Sequence, residues 1–114
     1  MEAGTQKTVF VEDSRQPWLT VDKGVHRKIM ASDKDLMMVK VAFETGSVGT
    51  VHSHPHVQIS YIESGRFEVE ISGTKKILSA GDVFYIPPHQ KHGVVCLDAG
   101  VLVDAFSPMR EDFL

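Results

Sequence analysis

The feature that most constrains this chain is the spacing of its apolar residues, which recur at alternate positions in short runs broken by Gly, Pro and Ser and nowhere keep a helical period. From Leu36 to Glu44, the residues Met37, Val39, Val41 and Phe43 share one parity while Lys40 and Glu44 take the other, which is the pattern of a half-buried strand. Arg66 to Ser72 repeats it, with Phe67, Val69 and Ile71 inward and Arg66, Glu68 and Glu70 outward. Ser72-Gly73-Thr74 then supplies a tight turn into Lys75 to Leu78. Further strands are predicted at Thr8 to Val11, Val25 to Ala31, Val51 to His54, Val57 to Ile62, Val83 to Ile86, Gly93 to Leu97 and Gly100 to Phe106. Turns at Thr45-Gly46-Ser47, Glu63-Ser64-Gly65, Ala80-Gly81-Asp82 and Pro87-Pro88-His89 separate many of them. Short strands spaced about ten residues apart predict an all-β domain, either a sandwich or a barrel, and the spacing does not choose between the two.

With 114 residues and 12.6 kDa there is room for one domain, residues 1–114, in which residues 1–20 form an N-terminal arm. A chain of this size buries roughly two thirds of its unfolded surface, enough for a core without staples. The first seven residues are expected to fray, and Met109 to Leu114 form a tail. Cys96 is the sole cysteine, so no intramolecular disulfide forms and a reducing cytosol suits the chain. Twelve Lys and Arg against fifteen Asp and Glu give a net charge of -3 with interspersed signs, which excludes a phosphate-binding stripe and argues against a nucleic-acid partner. The polar opening has no apolar h-region and no run spans a bilayer, so a soluble, cytoplasmic protein without a membrane partner is expected.

Six histidines remain to be explained, five of which (His52, His54, His56, His89 and His92) fall between positions 52 and 92. His52 and His54 are two apart on a predicted strand, so both side chains leave the same face and can reach one ion. Gln58 has the same parity beyond Pro55, which ends or bulges the strand, and His92 arrives from a later segment. Three imidazoles and a carboxamide then converge on one neutral-ligand site, which suits zinc, nickel, manganese, iron or copper without choosing among these divalent transition metals. His56 reads as a rim residue, His89 as part of the Pro87-Pro88 turn and His26 as a satisfied strand residue. Cys96 reads as a small apolar filler and Trp18 as an anchor for the arm.

The order of these residues resembles the cupin superfamily. Gly46, five residues, His52-x-His54, three residues, Gln58, six residues and Gly65 follow its first motif, and Gly81, five residues, Pro87, and then His92 follow its second. The resemblance implies a single cupin jelly-roll barrel, a double-stranded β-helix, with a metal at His52, His54, Gln58 and His92. Three positions depart from the pattern: Gln58 replaces a carboxylate, His89 an inner glycine and Cys96 a trailing asparagine. Gln58 removes a negative charge, which makes the ion a stronger Lewis acid, disfavours dioxygen chemistry and favours an anionic substrate.

A closer resemblance, from about Val25 to Leu114, is to small single-domain cupins of the pectin-degradation type. It is carried by His52-Ser53-His54-Pro55-His56-Val57-Gln58-Ile59, by Ser64-Gly65-Arg66-Phe67-Glu68 and by the ending Asp104 to Leu114. That family also has Gln in place of Glu. The resemblance implies metal-dependent opening of 4,5-unsaturated uronate rings, released from pectin or alginate, to linear 5-keto-4-deoxyuronate. Asp104 and Phe106 alternate with Val103 and Ala105 and so share one face. Asp104 is assigned to proton transfer, Phe106 to an apolar wall, Arg110 to the substrate carboxylate and the ion to Lewis-acid and template roles. Arg66 shares parity with Glu68 and Glu70, which favours solvent. Rival readings are a metal-bound binding or sensing module, an oxygenase or isomerase acting on another small acid, and a structural barrel whose arm around Phe10 to Trp18 crosses to a partner. A homodimer is expected from exposed edges and the arm.

Overall fold

The computed structural model describes residues 6–114. Eight strands follow one another: β1 (Leu19–Asp22), β2 (Val25–Asp33), β3 (Leu36–Phe43), β4 (Val48–His52), β5 (Val57–Ile71), β6 (Thr74–Ser79), β7 (Val83–Ile86) and β8 (His92–Ser107). Two 3₁₀ turns, Asp13–Arg15 and Glu111–Phe113, flank them. Among the described residues no helix is long and apolar enough to cross a membrane.

All pairings are antiparallel, and the two long strands β5 and β8 organise them. The second half of β8 lies between β3 and the first half of β5, which pairs with β7 on its far side. The first half of β8 lies between β4 and the second half of β5, which carries β6. Two sheets therefore share two bent strands and close over one interior, the jelly-roll barrel expected from the motifs. Val25, Phe43, Ile62, Phe67, Phe84 and Leu102 belong to the main apolar cluster, with Phe43 and Phe67 edge to face at 5.3 Å. A second cluster of Met37, Val39, Phe106 and Met109 packs on the same inward face of β3.

The expected turn at Glu63-Ser64-Gly65 is instead a bend inside β5, marked by register slips from Ile62 to Phe67, and the two strands expected at 93–97 and 100–106 are one. The reason is a close crossing of two backbones. Gly65 takes a φ of 85°, and a side chain on Gly100 would strike the backbone of Ser64 and Gly65. The hairpin at Ser72-Gly73 forms as expected, with both residues at positive φ and Ile71 opposite Thr74.

Other departures lie near the ends of elements. Thr8 to Val11 belongs to no strand. Leu19 and Thr20, expected in the arm, begin β1, whose four residues are all exposed and so carry no burial signal. Of the residues expected to fray, 1–5 lie outside the described residues, while Gln6 is held where its Oε1 accepts a hydrogen bond from the Ser32 N–H at 2.8 Å. The arm packs on its own chain: Asp13 bridges Lys28 at 2.9 Å and Lys40 at 3.1 Å, and the Lys28 ammonium sits 4.4 Å from the Trp18 ring centroid. The tail is ordered, with Met109 buried and Phe113 edge to face with Phe106 at 5.7 Å.

Gly100 and Gly73 separate two causes of glycine dependence. Gly100→Ala is expected to destabilise the fold by about 3 kcal/mol because two backbones must part. Gly73→Ala strikes nothing and bears only the positive-φ penalty, about 1 kcal/mol. Urea unfolding followed by far-ultraviolet circular dichroism measures both.

Candidate metal centre

The pairing of β4 with β8 sets His52 directly opposite His92, so two imidazoles face each other at the mouth of the barrel. β4 ends at His52, two residues earlier than the spacing suggests, and His54 belongs to the loop ahead of Pro55 and β5. It still joins the other two, because its carbonyl accepts the His89 N–H at 2.7 Å and its Nδ1 donates to the His56 carbonyl at 3.1 Å. His89 has a φ of 68°, so the position of the missing inner glycine keeps a left-handed backbone with histidine in it. The turn histidine thus positions a ligand through its backbone.

The ligand atoms of His52, His54 and His92 all lie within 4.8 Å of one another. Each Nδ1 is engaged by a backbone carbonyl: that of Thr50 at 2.8 Å for His52, of His56 for His54, and of Gln90 at 2.9 Å for His92. This fixes the proton on Nδ1 and leaves a lone pair on Nε2, the arrangement typical of imidazoles that bind a metal. Burial pushes the His54 imidazolium below its usual range, and burial with the nearby His52 and His54 lowers His92 to about 4, so both are neutral near pH 7. His92 Nε2 is buried without any hydrogen-bond partner.

Gln58 completes the set. Its Oε1 lies 2.9 Å from His54 Nε2, so two lone pairs face each other with no proton between them. A cation satisfies both these acceptors and the unpartnered His92 nitrogen, and a neutral three-nitrogen, one-oxygen set fits a divalent transition metal. The amide end of Gln58 donates to Ser60 Oγ at 2.9 Å, and that hydroxyl donates to Asp104 Oδ1 at 2.6 Å. Ser60 and Asp104 are direct cross-strand partners on β5 and β8. Burial raises the Asp104 carboxyl to about 6, against the opposing pull of the Ser60 hydrogen bond and Arg110.

His52, Gln58, His92, Asp104, Phe106 and Arg110 all line one cavity of about 170 Å³, backed by Val25, Val41, Phe43 and Phe84. With His54 beside them, the structure brings together all seven residues that the sequence singles out for metal and chemistry. Arg110 is not free: Asp112 grips its guanidinium twice, at 2.9 and 3.0 Å. Two further polar residues at the site are not singled out by the motifs. Ser60 shares the inward parity of Gln58, which is the signal that could find it, whereas Arg27 lies in an early strand far from either motif.

The remaining assignments separate cleanly. His56 packs its ring 5.3 Å from His54 without joining the ligand group, a rim position. His26 is satisfied by Thr20 and Glu44, and Arg66 pairs with Asp98 at the surface. Cys96 is a buried member of the main cluster, its thiol pushed up by burial.

The cupin-domain family matches residues 38–105. The chain belongs to the cupin family. This cupin is 48% identical over 107 residues to the pectin degradation protein KdgF of Dickeya dadantii strain 3937, covering 92% of this chain and 96% of that protein. Its structure is similar to an RmlC-like cupin from Shewanella frigidimarina NCIMB 400, with a TM-score of 0.93 and 41% identity over 96% of this chain and 98% of the other. It is also similar to KdgF from a Halomonas species, with a TM-score of 0.91 and 44% identity over 95% of this chain and all of that one (100%).

Two measurements test the centre. His92→Ala is expected to lower the bound-metal stoichiometry of the purified cupin while the circular dichroism spectrum stays that of the wild type, as metal analysis can show. In metal-stripped protein, the raised Asp104 carboxyl favours the fold below the ordinary carboxylate range near pH 4 and loses that contribution as pH rises through about 6. The stability of the wild type relative to Asp104→Asn should therefore fall by up to about 3 kcal/mol between about pH 4 and pH 7. Urea titrations at each pH give this difference directly.

Proposed function

We propose that this cupin is a metal-dependent enzyme that opens the ring of 4,5-unsaturated uronate monosaccharides to the linear 5-keto-4-deoxyuronate. The observation that carries the reading is a buried carboxyl group, Asp104, tied through Ser60 to a candidate metal ligand and facing the same cavity. The likeness to a protein named for pectin degradation supports the substrate class.

The reaction is an isomerisation. The anomeric hydroxyl loses its proton, the bond from C1 to the ring oxygen breaks as C1 becomes an aldehyde, and C4 gains a proton as C5 becomes a ketone. One group that accepts and returns a proton suffices, and a carboxyl with a pKa of about 6 does both at near-neutral pH. The Ser60 hydroxyl holds Asp104 in one rotamer at the cavity wall. Phe106, 2% exposed, gives the sugar an apolar wall and excludes water from the carboxyl. A divalent ion held by His52, His54, Gln58 and His92 supplies Lewis-acid stabilisation of charge on oxygen.

The remaining parts of the reading are cytoplasmic location, a small anionic sugar acid as the partner, and pairing of two copies. The apolar surface available for that pairing is the outer row of Ile59, Tyr61, Val83 and Tyr85, about half exposed and matched across β5 and β7.

Incubating the metal-loaded protein with unsaturated galacturonate should accelerate loss of the conjugated enol-acid absorbance. Asp104→Asn should retain metal and fold while turnover falls by roughly two powers of ten or more. No acceleration by the wild type over buffer defeats the proposal, and unchanged turnover in the variant removes Asp104 from the proton path.

A further inference from the structure

Arg27 is an inward-facing arginine in an otherwise apolar row of β2. Val25 on one side belongs to the main cluster, and Ile29 on the other packs against the second. Its guanidinium carbon lies 3.7 Å from the centroid of Phe113, and that of Arg110 lies 4.3 Å from the same centroid. Both arginines line the cavity that holds Asp104 and the histidines.

The charges around this ring do not balance. Asp112 occupies the fork of Arg110 with two hydrogen bonds. Among the described residues, Arg27 makes no ion pair and no side-chain hydrogen bond. Two guanidinium groups with one carboxylate leave one positive charge, half-buried and facing a cavity. Such a charge is costly without a counter-ion, and a planar five-donor fork matches a carboxylate in geometry as well as in sign. The position is also held by its neighbours: β2 runs in unbroken register against β3 from Val25 to Ile29, with Arg27 opposite Val41, and the guanidinium packs against the Phe113 ring.

We infer that Arg27, and not the Asp112-bound Arg110, is the counter-charge for the carboxylate of the ligand in this cavity. The inference rests on the proposed uronate reading for the identity of that ligand. Arg110 then has a positioning role: bound to Asp112 and stacked near Phe113, it holds the ring against which Arg27 lies.

The test compares a non-reacting acid with its neutral counterpart. Saturated galacturonate and galactose are titrated by calorimetry into the metal-loaded wild type, Arg27→Gln, Arg27→Lys and Arg110→Gln. The wild type should bind the acid at least about tenfold more tightly than the neutral sugar. Arg27→Gln should erase that preference with unchanged metal content and melting temperature, Arg27→Lys should keep part of it, and Arg110→Gln should keep most of it. With unsaturated galacturonate, Arg27→Gln should raise KM far more than it lowers kcat. A preference for the acid that survives in Arg27→Gln overturns the inference, as does a wild type that does not distinguish acid from neutral sugar. A charge preference in a wild type without ring-opening activity would instead sustain the subsite and overturn the proposed reaction. Should Arg27→Gln fold poorly, Arg27→Lys decides: equal preference for the acid and unchanged KM in that variant would rule out a forked carboxylate contact.

Discussion

The structure depends above all on the antiparallel pairing of β5 with β8, which runs from Val57 opposite Ser107 to Ile71 opposite His92 and passes through both sheets. Strands long enough to serve two sheets must bend, and the bend is possible because Gly65 and Gly100 let two backbones approach where no side chain fits. One half of the pairing presents Gln58, Ser60, Asp104 and Phe106 to the interior, and the beginning of β8 presents His92. β4, hung on that same beginning, delivers His52. The site therefore follows, for the most part, from the register of one strand pair and its edge.

The same pairing joins the candidate metal centre to a buried carboxyl group. Ser60 and Asp104 face each other across the two strands, so the hydroxyl bridges the amide of a candidate ligand to a buried carboxyl by direct hydrogen bonds. Gln58 therefore has its oxygen turned toward His54 and its nitrogen committed to Ser60, an orientation that a free carboxamide would not keep. A glutamate there would bring a negative charge and no donor for Ser60. The neutral amide keeps Asp104 as the one acidic group of the Gln58–Ser60–Asp104 hydrogen-bond run and would leave the charge of a bound cation uncancelled.

The cavity is electrostatically asymmetric. Imidazoles and a protonatable acid line one side, and two guanidinium groups on Phe113 line another. Aromatic stacking lets those like charges share a small volume, with Asp112 hydrogen-bonded to only one of them. The arrangement is suited to a ligand with an anionic end and a hydroxylated end.

Much of this architecture is legible in the amino-acid sequence. Alternating parity determines which residues of β3 and of the 66–78 hairpin face inward, because it depends on local backbone geometry, and the cupin motif spacing of His52, His54, Gln58 and His92 marks a candidate metal-binding set. Asp104 and Phe106 follow from the same alternation together with family likeness. The strand at Leu19–Asp22 is only four residues long and exposed, too short for its alternation to stand out, and the bend at Gly65 reads as a turn because a glycine between two strands signals both. What only the tertiary structure decides are the partners of charged groups. That Arg27 is left unpaired at the cavity, and that Ser60 joins Gln58 to Asp104, depends on which strands lie side by side, whereas the Arg110–Asp112 pair is local to the tail. Alternation tells a side chain which way to point, but only the register of distant strands tells it what it meets.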